Sequence, residues 1–186
     1  MTLSIEQLKK AFPDARMSNL QKYVSHLNDG MDRFEINTPT RITFFIAQLA
    51  HESGNFRFVE ELASGKDYEY RKDLGNLKKA ALAAAHAKGT TTGRFYKGRG
   101  LIQLTGYNNY KACGSELSID LVNNPELLIE PKYAALSACW FWHSNGLNEL
   151  SDIGDFKAVT RRINGGYSGL ADRQLKLASI SGVMNA

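Results

Sequence analysis

The stretch Ala50-His51-Glu52-Ser53-Gly54-Asn55-Phe56, together with Gly98-Arg99-Gly100-Leu101-Ile102-Gln103-Leu104-Thr105, decides the fold of this 186-residue chain. The first stretch places a carboxylate at the end of an amphipathic helix. The second is a glycine-hinged segment dense in hydrogen-bonding side chains. A carboxylate that faces a polar groove lined by aromatic residues is typical of sites that cleave sugar polymers.

The helix that precedes Glu52 has clear sequence signals. Thr38-Pro39 predicts its start, with a capping hydroxyl followed by proline at the first helical position. Apolar residues then recur at helical spacing and mark the buried face: Ile42, Phe45, Ile46 and Leu49. Glu52 falls about 70° from the centre of this face, in the last turn before Gly54. Partial burial and the helix dipole both favour the protonated form that a general acid needs, although spacing alone also fits a surface glutamate at a frayed helix end.

Two other kinds of site are excluded by spacing. His51-Glu52 begins like the helix of a zinc protease, but the second histidine of that motif would fall at Asn55. The four histidines and two cysteines of the chain show no metal-ligand spacing, so we expect no metal and no other cofactor. A dinucleotide loop that starts at Gly98 would need its third glycine at position 103, which is Gln103.

The remaining sequence predicts further helices and few strands. Ser4 and Gln7 form a capping box for the first helix. Helical patterns follow over 20–27, 76–88, 131–142, 156–163 and 170–180. The segment 89–93 is predicted to be a flexible loop, and Trp140 and Trp142 are expected in the core. The fold class is therefore mainly α.

Length and composition fit one catalytic domain over residues 1–186, with a smaller lobe at roughly 55–95 and no separate wall-binding module. The net charge is 23 − 19 = +4. A modestly basic surface suits an anionic polymer such as bacterial wall, and it also fits nucleic acid. Because no helix-turn-helix, zinc-finger or ribonucleoprotein motif is present in the sequence, we expect no nucleic-acid partner.

The sequence starts as a capped helix without a basic leader, and no apolar run approaches the ~20 residues of a membrane span. We therefore expect a protein without signal peptide, held in the cytoplasm until another protein releases it. Cys113 and Cys139 make no disulfide framework, and whether they pair with each other stays open.

Five motifs resemble the plant-type chitinases, family 19 of the glycoside hydrolases, and within that family its short phage endolysins and bacterial homologues. They are Ala50–Gly54, Tyr96–Thr105, Asn108-Asn109-Tyr110, Asn123–Leu127 and Arg162–Gly166. They occur in the family's order over most of the chain, roughly residues 40–175. The resemblance implies a mainly helical, lysozyme-like fold with a substrate cleft between two lobes. The chain lacks the cysteine framework and most of the loops of the plant members.

The resemblance also implies catalytic roles. Glu52 matches the family's general acid, and Thr105 matches the hydroxyl residue that holds the attacking water. The second carboxylate, which activates that water, follows the acid in the sequence. Glu61 is our choice for it, with Glu60 and Glu69 as alternatives, because short phage-like members keep the base close to the acid.

Binding roles follow in the same way. The residues that match positions lining the sugar groove are Tyr96, Gln103, Asn109 and Asn164. Arg99 and Arg173 are candidates for positioning the carboxylates, since an arginine beside the base would keep it ionised while Glu52 stays protonated.

We therefore predict an inverting glycosidase, acting as a monomer on the β-1,4-linked glycan strands of bacterial peptidoglycan as a phage endolysin. A membrane-perforating holin would release it from the host cytoplasm. Three alternatives stay open: a chitinase, a lytic transglycosylase that needs only the acid, and an inactive wall-binding lectin. Which of the two alternating glycosidic bonds is cut does not follow from the sequence.

Overall fold

The computed structural model describes residues 2–184, and within them the chain is mainly helical. Ten α-helices follow in chain order: α1 (Ile5–Ala11), α2 (Met17–Arg33), α3 (Pro39–Glu52), α4 (Lys79–Ala87), α5 (Thr92–Phe95), α6 (Tyr107–Leu117), α7 (Pro131–Ser144), α8 (Leu147–Asp152), α9 (Phe156–Asn164) and α10 (Leu170–Met184). Short 3-10 helices occupy Lys66–Tyr68 and Pro125–Ile129. The predicted mainly helical fold class is confirmed.

The chain divides into two compact units. The first consists of Met1–Phe58 with Ala138–Ala186, and the second is the continuous segment Val59–Ser137. Helix α7 contributes residues to both. The smaller lobe expected at 55–95 stays a prediction.

Helix α3 is the centre of the first unit. Thr38 caps it by accepting from the backbone N–H of Arg41, with Pro39 at the first position, as predicted. Every residue from Ile42 to Ala50 is buried, so the helix is enclosed on all sides rather than along one stripe. The reason is packing on several partners of the same unit, among them α8 and α10.

Aromatic contacts fill the core around α3. Phe45 meets Trp142 edge to face, with ring centroids 5.2 Å apart, and Phe44 meets Phe156 at 4.9 Å. The indole N–H of Trp142 donates to Asn148 Oδ1 at 3.0 Å, which satisfies its only polar group. Trp142 is thus the core residue that we predicted, whereas Trp140 is half-buried.

The second unit is built around three tyrosines and a short backbone ladder. Tyr96 lies against Tyr107 and Tyr110, with ring centroids 5.6 and 5.4 Å away. Arg99 pairs through its backbone with Glu60 on one side and with Leu104 on the other, in two isolated antiparallel bridges. The ladder brings the acidic doublet beside the glycine-rich segment, although almost forty residues separate them in sequence.

The prediction of a flexible loop at 89–93 is wrong at its end. Helix α5 begins at Thr92, and both Thr92 and Gly93 are buried. A Cβ at Gly93 would lie 2.5 Å from the carbonyl oxygen of Gly65 and 2.6 Å from the backbone nitrogen of Glu69. The glycine is needed here for close backbone packing, which composition alone did not distinguish from flexibility.

Two further features concern residues 2–184 as a whole. None of their helices combines the length and the apolar character that crossing a membrane requires. Cys113 and Cys139 are both buried and both free.

Candidate active site

Glu52 is the last residue of α3, and the chain turns sharply after it. Gly54, Asn55 and Phe56 follow with φ of +58°, +57° and +64°. Positive φ is costly for the two residues that carry a Cβ, and such strain persists only where the surroundings enforce it. Here Phe56 is fully buried and Asn55 Oδ1 accepts from Lys176 Nζ at 2.9 Å. The end of α3 is thereby fixed immediately behind the candidate acid.

The carboxyl group of Glu52 is held on one side only. Its Oε1 accepts from Arg173 Nη2 at 2.5 Å, and its side chain keeps 20% of its surface exposed. Among residues 2–184, Oε2 has no hydrogen-bond partner. Arg173 itself is 2% exposed, and its Nη1 donates to the buried side chain of Gln48. One oxygen of Glu52 is therefore anchored and the other is open to a substrate.

The sequence predicted an arginine beside the candidate base, Glu61. The two candidate arginines pair with other carboxylates. Arg173 pairs with Glu52, the candidate acid. Arg99 pairs with Glu60 at 3.1 Å and donates to the carbonyl of Phe95, so it is a buried anchor of the second unit. Of the residues described, neither guanidinium bonds to Glu61.

Glu60 and Glu61 have distinct surroundings. The Glu60 carboxylate faces two cations, Arg99 Nε at 3.1 Å and Lys97 Nζ at 3.3 Å. The Glu61 carboxylate has no cation among its described hydrogen-bond partners. It accepts from the backbone N–H of Gly98 at 3.1 Å and from the hydroxyl of Tyr68 at 3.1 Å. Glu60 thus belongs to an ion-pair cluster, whereas Glu61 is held by neutral donors. A carboxylate that must accept a proton is better suited to neutral donors than to cations.

Tyr68 is held in turn by a buried amide. Asn76 is fully buried, donates to the carbonyl of Tyr68 at 2.7 Å, and accepts from the backbone N–H of Tyr107 at 2.9 Å. Desolvation raises the pKa of Tyr68, and the neighbouring Glu61 carboxylate raises it further. The phenol therefore stays protonated through the neutral range and remains a donor to Glu61.

Gly98 lies next to the side-chain oxygens of three candidate site residues. A Cβ built on it would lie 3.0 Å from Gln103 Oε1, 3.2 Å from Glu61 Oε2 and 3.4 Å from Thr105 Oγ1. The structure thus brings the candidate base, the candidate water-holding residue and one groove residue around a single glycine. A side chain at position 98 would occupy the space between them.

The glycine-rich segment fixes its own polar side chains. Gln103 has a φ of +55° and donates through Nε2 to the carbonyl of Gly100 at 3.0 Å, which aims Oε1 toward Gly98. Thr105 donates its hydroxyl to the carbonyl of Gln103 at 2.9 Å, so the lone pairs of Oγ1 can accept from a water. Asn109 Nδ2 donates to the carbonyl of Thr105 at 2.8 Å.

Tyr96, Asn164 and Glu69 have no described contact with the cluster around Gly98. Tyr96 is fully buried and donates its hydroxyl to the carbonyl of Val122 at 2.8 Å, so its place is in the core of the second unit. Asn164 ends α9 and is exposed. Glu69 is half-buried, and the two bridges do not include it.

Sequence reasoning missed three side chains that hold the candidate carboxylates: Gln48, Tyr68 and Asn76. Gln48 could have been noticed, because it precedes Glu52 by one helical turn on a buried face. Tyr68 and Asn76 carried no such signal, since only the fold of the second unit brings Tyr68 to Glu61 and Asn76 to Tyr68. Within the described part of the chain, no cluster of three or more His, Cys, Asp and Glu side chains could hold a metal ion.

Several solved structures share this fold. A bacterial family 19 chitinase superposes with a TM-score of 0.79 over 100% of this chain and 96% of that chain, at 23% sequence identity. Chitinase C from Streptomyces griseus superposes with a TM-score of 0.78 over 98% of this chain and 76% of that chain, also at 23% identity. At this identity the likeness shows the fold alone, and that fold is shared with family 19 chitinases.

Sequence comparison identifies the family. The family model described as chitinase class I matches residues 30–164. An endochitinase of Arabidopsis thaliana is 37% identical over 126 residues, which is 67% of this chain and 39% of the relative. A glycosyl hydrolase family 19 domain-containing protein of Haemophilus influenzae is 33% identical over 154 residues, 69% of this chain and 72% of the relative. The chain belongs to glycoside hydrolase family 19, and it matches less than half the length of that plant relative.

Proposed function

We propose that this chain is an inverting glycoside hydrolase that cleaves β-1,4 bonds between N-acetylated amino sugars of bacterial peptidoglycan. The observation that carries the proposal is the cluster around Gly98, where Glu61, Gln103 and Thr105 converge within 3.4 Å of one point. A carboxylate beside a hydroxyl acceptor, both rigidly held, is suited to binding and deprotonating a water.

Glu52 supplies the acid in this mechanism. Because Arg173 donates to Oε1, Oε2 is the oxygen that carries the transferable proton in the protonated form of Glu52. That proton moves to the glycosidic oxygen as the bond from this oxygen to the anomeric carbon breaks. The departing sugar leaves as a neutral alcohol, and Glu52 becomes a carboxylate that Arg173 stabilises.

Glu61 supplies the base. It takes one proton from a water held by Thr105, while the oxygen of that water bonds to the anomeric carbon from the opposite face. Tyr68 and the N–H of Gly98 keep the carboxylate oriented during the transfer. Inversion requires the two carboxyl groups to stand roughly 6.5–9.5 Å apart around the bound bond. Exchange of protons with solvent restores both residues.

A basic groove on the first unit supports an anionic polymer as the substrate. A cavity of about 470 Å³ is lined by Ala158, Arg161 and Arg162 of α9 and by Gly165, which caps its C-terminus; we refer to it as the α9 groove. No acidic residue is among these four. Arg162 Nη1 donates to the carbonyl of Asn145 at 2.7 Å, while Arg161 is exposed. Peptidoglycan carries free carboxylates on its stem peptides, whereas chitin carries none.

Chitin is the second candidate substrate. It is favoured by the names of relatives from Arabidopsis thaliana and Brassica napus, which are endochitinases. The residues around Glu61 would act in the same way on either polymer, so the choice depends on contacts outside the reacting bond.

Digestion of both polymers by the purified protein tests the proposal. We expect peptidoglycan fragments with free reducing ends, identified by mass spectrometry, and α-anomers as first products by NMR. Fragments with anhydro ends would show that the protein is a transglycosylase rather than a hydrolase. If chitin is cleaved and peptidoglycan stays intact, the substrate is chitin. Binding of either polymer without cleavage would indicate a lectin.

We further propose that this activity serves lysis of a host bacterium by a phage, with a holin as the functional partner. The support is the resemblance to the short phage members of the family together with the α9 groove. A bacterium that produces the protein should lyse abruptly when a membrane-perforating protein is co-expressed or chloroform is added. Lysis without perforation would contradict the need for that partner, and intact cells after perforation would count against peptidoglycan.

A further inference from the structure

The candidate acid is connected to the interior of the first unit by an uninterrupted chain of polar contacts. Gln48 of α3 donates through Nε2 to Thr160 Oγ1 of α9 at 2.8 Å. The Oε1 of Gln48 accepts from Nη1 of Arg173 on α10, whose Nη2 donates to Glu52 at 2.5 Å. We call Thr160, Gln48, Arg173 and Glu52 the acid network.

The network is buried except at its catalytic end. Gln48 and Thr160 have no exposed surface, and Arg173 is 2% exposed. Polar groups in such surroundings are normally retained only when every donor and acceptor is matched. Each buried nitrogen and oxygen atom of the network has at least one hydrogen-bond partner. The hydroxyl of Thr160 donates to the carbonyl of Phe156 at 3.0 Å. The threonine oxygen is therefore left as an acceptor for Gln48.

This polarity fixes the orientation of the Gln48 amide. With Nε2 directed to Thr160, Oε1 must face the guanidinium of Arg173. The reverse orientation would set an NH2 group against a cation and leave the buried threonine oxygen without a donor. The hydroxyl of Thr160 thus determines where the acceptor for Arg173 lies, although its described hydrogen bonds go only to Gln48 and Phe156.

We propose that Gln48 and Thr160 are positioning residues for the general acid, acting through Arg173 to set the direction of the Glu52 carboxyl. The inference rests on the proposed function, because it assumes that Glu52 donates the proton. The physical reason is geometric: a carboxyl displaced by a fraction of an ångström no longer aims its proton at the glycosidic oxygen. Substrate binding does not depend on that aim, so the effect should appear in kcat.

Thr160→Val is the decisive variant, because it keeps the shape of the side chain and removes the hydroxyl. We expect kcat to fall about 10–100-fold with KM within about twofold of wild type. Thr160→Ser, which restores the hydroxyl, should recover most of kcat. Thr160→Ala removes the same hydroxyl with less steric demand and serves if the valine variant does not fold.

Thr43 provides a matched control within the same unit. It is also buried, and its hydroxyl also bonds to a carbonyl one turn earlier in its helix, that of Pro39 at 2.9 Å. It has no contact with the acid network among the described hydrogen bonds. Thr43→Val removes the same kind of helix-bonded hydroxyl and should leave kcat unchanged.

The outcomes separate this inference from the proposed function. Wild-type protein that cleaves neither peptidoglycan nor chitin would overturn the function itself. Active wild type with full kcat in Thr160→Val, or an equal loss of kcat in Thr43→Val, would overturn the positioning role alone. A fall in kcat restricted to Thr160→Val and Thr160→Ala, with rescue by serine, supports it. The affinity of Glu52→Gln/Thr160→Val for the wall polymer should equal that of Glu52→Gln, and a loss of affinity would contradict the role.

Discussion

Glu61 and Gly98 are joined by two hydrogen bonds in opposite directions. The backbone N–H of Glu61 donates to the carbonyl of Gly98 at 2.9 Å, and the N–H of Gly98 donates back to the Oε2 of Glu61 at 3.1 Å. Both the position of the Glu61 backbone and the direction of its carboxylate are therefore set by the same residue. This reciprocal pair gives the candidate base its rigidity.

Gly98→Ala tests whether the space in front of this pair is needed. The added methyl would lie 3.0–3.4 Å from Gln103 Oε1, Glu61 Oε2 and Thr105 Oγ1, so these atoms must shift by a few tenths of an ångström. We expect kcat/KM on peptidoglycan to fall about 10–100-fold, because misplacement on this scale disturbs the reacting geometry. Gly182→Ala, at a helical glycine with open space around it, is the control and should be fully active. A fully active Gly98→Ala would mean that the attacking water lies elsewhere.

The acidic doublet can be separated by two conservative substitutions. Glu61→Gln removes the proton acceptor and should reduce activity by about 10²–10⁴-fold. Glu60→Gln should retain most activity, since Glu60 faces Arg99 and Lys97. The substitution should lower the free energy of unfolding by less than about 1 kcal/mol, because the Glu60 side chain is partly exposed. Initial rates and thermal melting of both variants provide the measurement. The opposite pattern would assign the base to Glu60, and two active variants would direct attention to Glu69.

Local signals in the sequence predicted local structure well. The cap at Thr38-Pro39 and the capping box of Ser4 with Gln7 are confirmed, because each depends on atoms only three residues apart. Burial around α3 was underestimated, since a periodic pattern records one apolar face and says nothing about partners that enclose the others. Gly93 was interpreted as flexible because its packing partners, Gly65 and Glu69, lie more than twenty residues away.

The same distinction between local and long-range features applies to the candidate site. Glu52 was identified with its place in the last turn of α3, which is a local property. Its partner Arg173 lies 121 residues further along the chain, and the contact through Gln48 spans 125 residues. Contacts over such sequence separations leave no periodic pattern in the sequence. Only the structure could therefore show that Arg173 pairs with the acid rather than the base. Tyr96 resembled a groove residue by motif, yet its hydroxyl is committed to Val122 in the core.

Glu52→Gln tests the acid. The glutamine can still accept from Arg173 through its amide oxygen, so the fold and the acid network should persist, but no proton is available for the leaving oxygen. We expect a loss of at least about 10²–10⁴-fold in the rate of wall digestion. Circular dichroism and binding to insoluble wall serve as controls and should match wild type. Turbidity clearance near the wild-type rate by this folded variant would contradict the mechanism.

The two cysteines provide a test of the core that is independent of activity. Burial raises the pKa of the Cys113 thiol to about 12 and raises that of Cys139 as well. Because the thiolate is the reactive form, native protein at pH 8 should react very slowly with a thiol reagent. Protein unfolded in guanidinium should show two thiols at once, and non-reducing mass spectrometry should show no disulfide. Two thiols that react rapidly in the native state would contradict the burial of these helices.

The α9 groove makes a prediction that distinguishes peptidoglycan from chitin. Arg161→Gln/Arg162→Gln removes two positive charges from its lining without placing an acid there. We expect KM for peptidoglycan to rise several-fold at low ionic strength and less at high salt, because exposed charges are screened over about 8–10 Å. Hydrolysis of a neutral chitooligosaccharide should stay at the wild-type rate. Lys157→Gln, on the same helix but outside the groove lining, is the matched control and should change neither reaction. An equal loss on the neutral and the anionic substrate would mean that the arginines stabilise the fold, and no loss on either would mean that the groove does not contact the polymer.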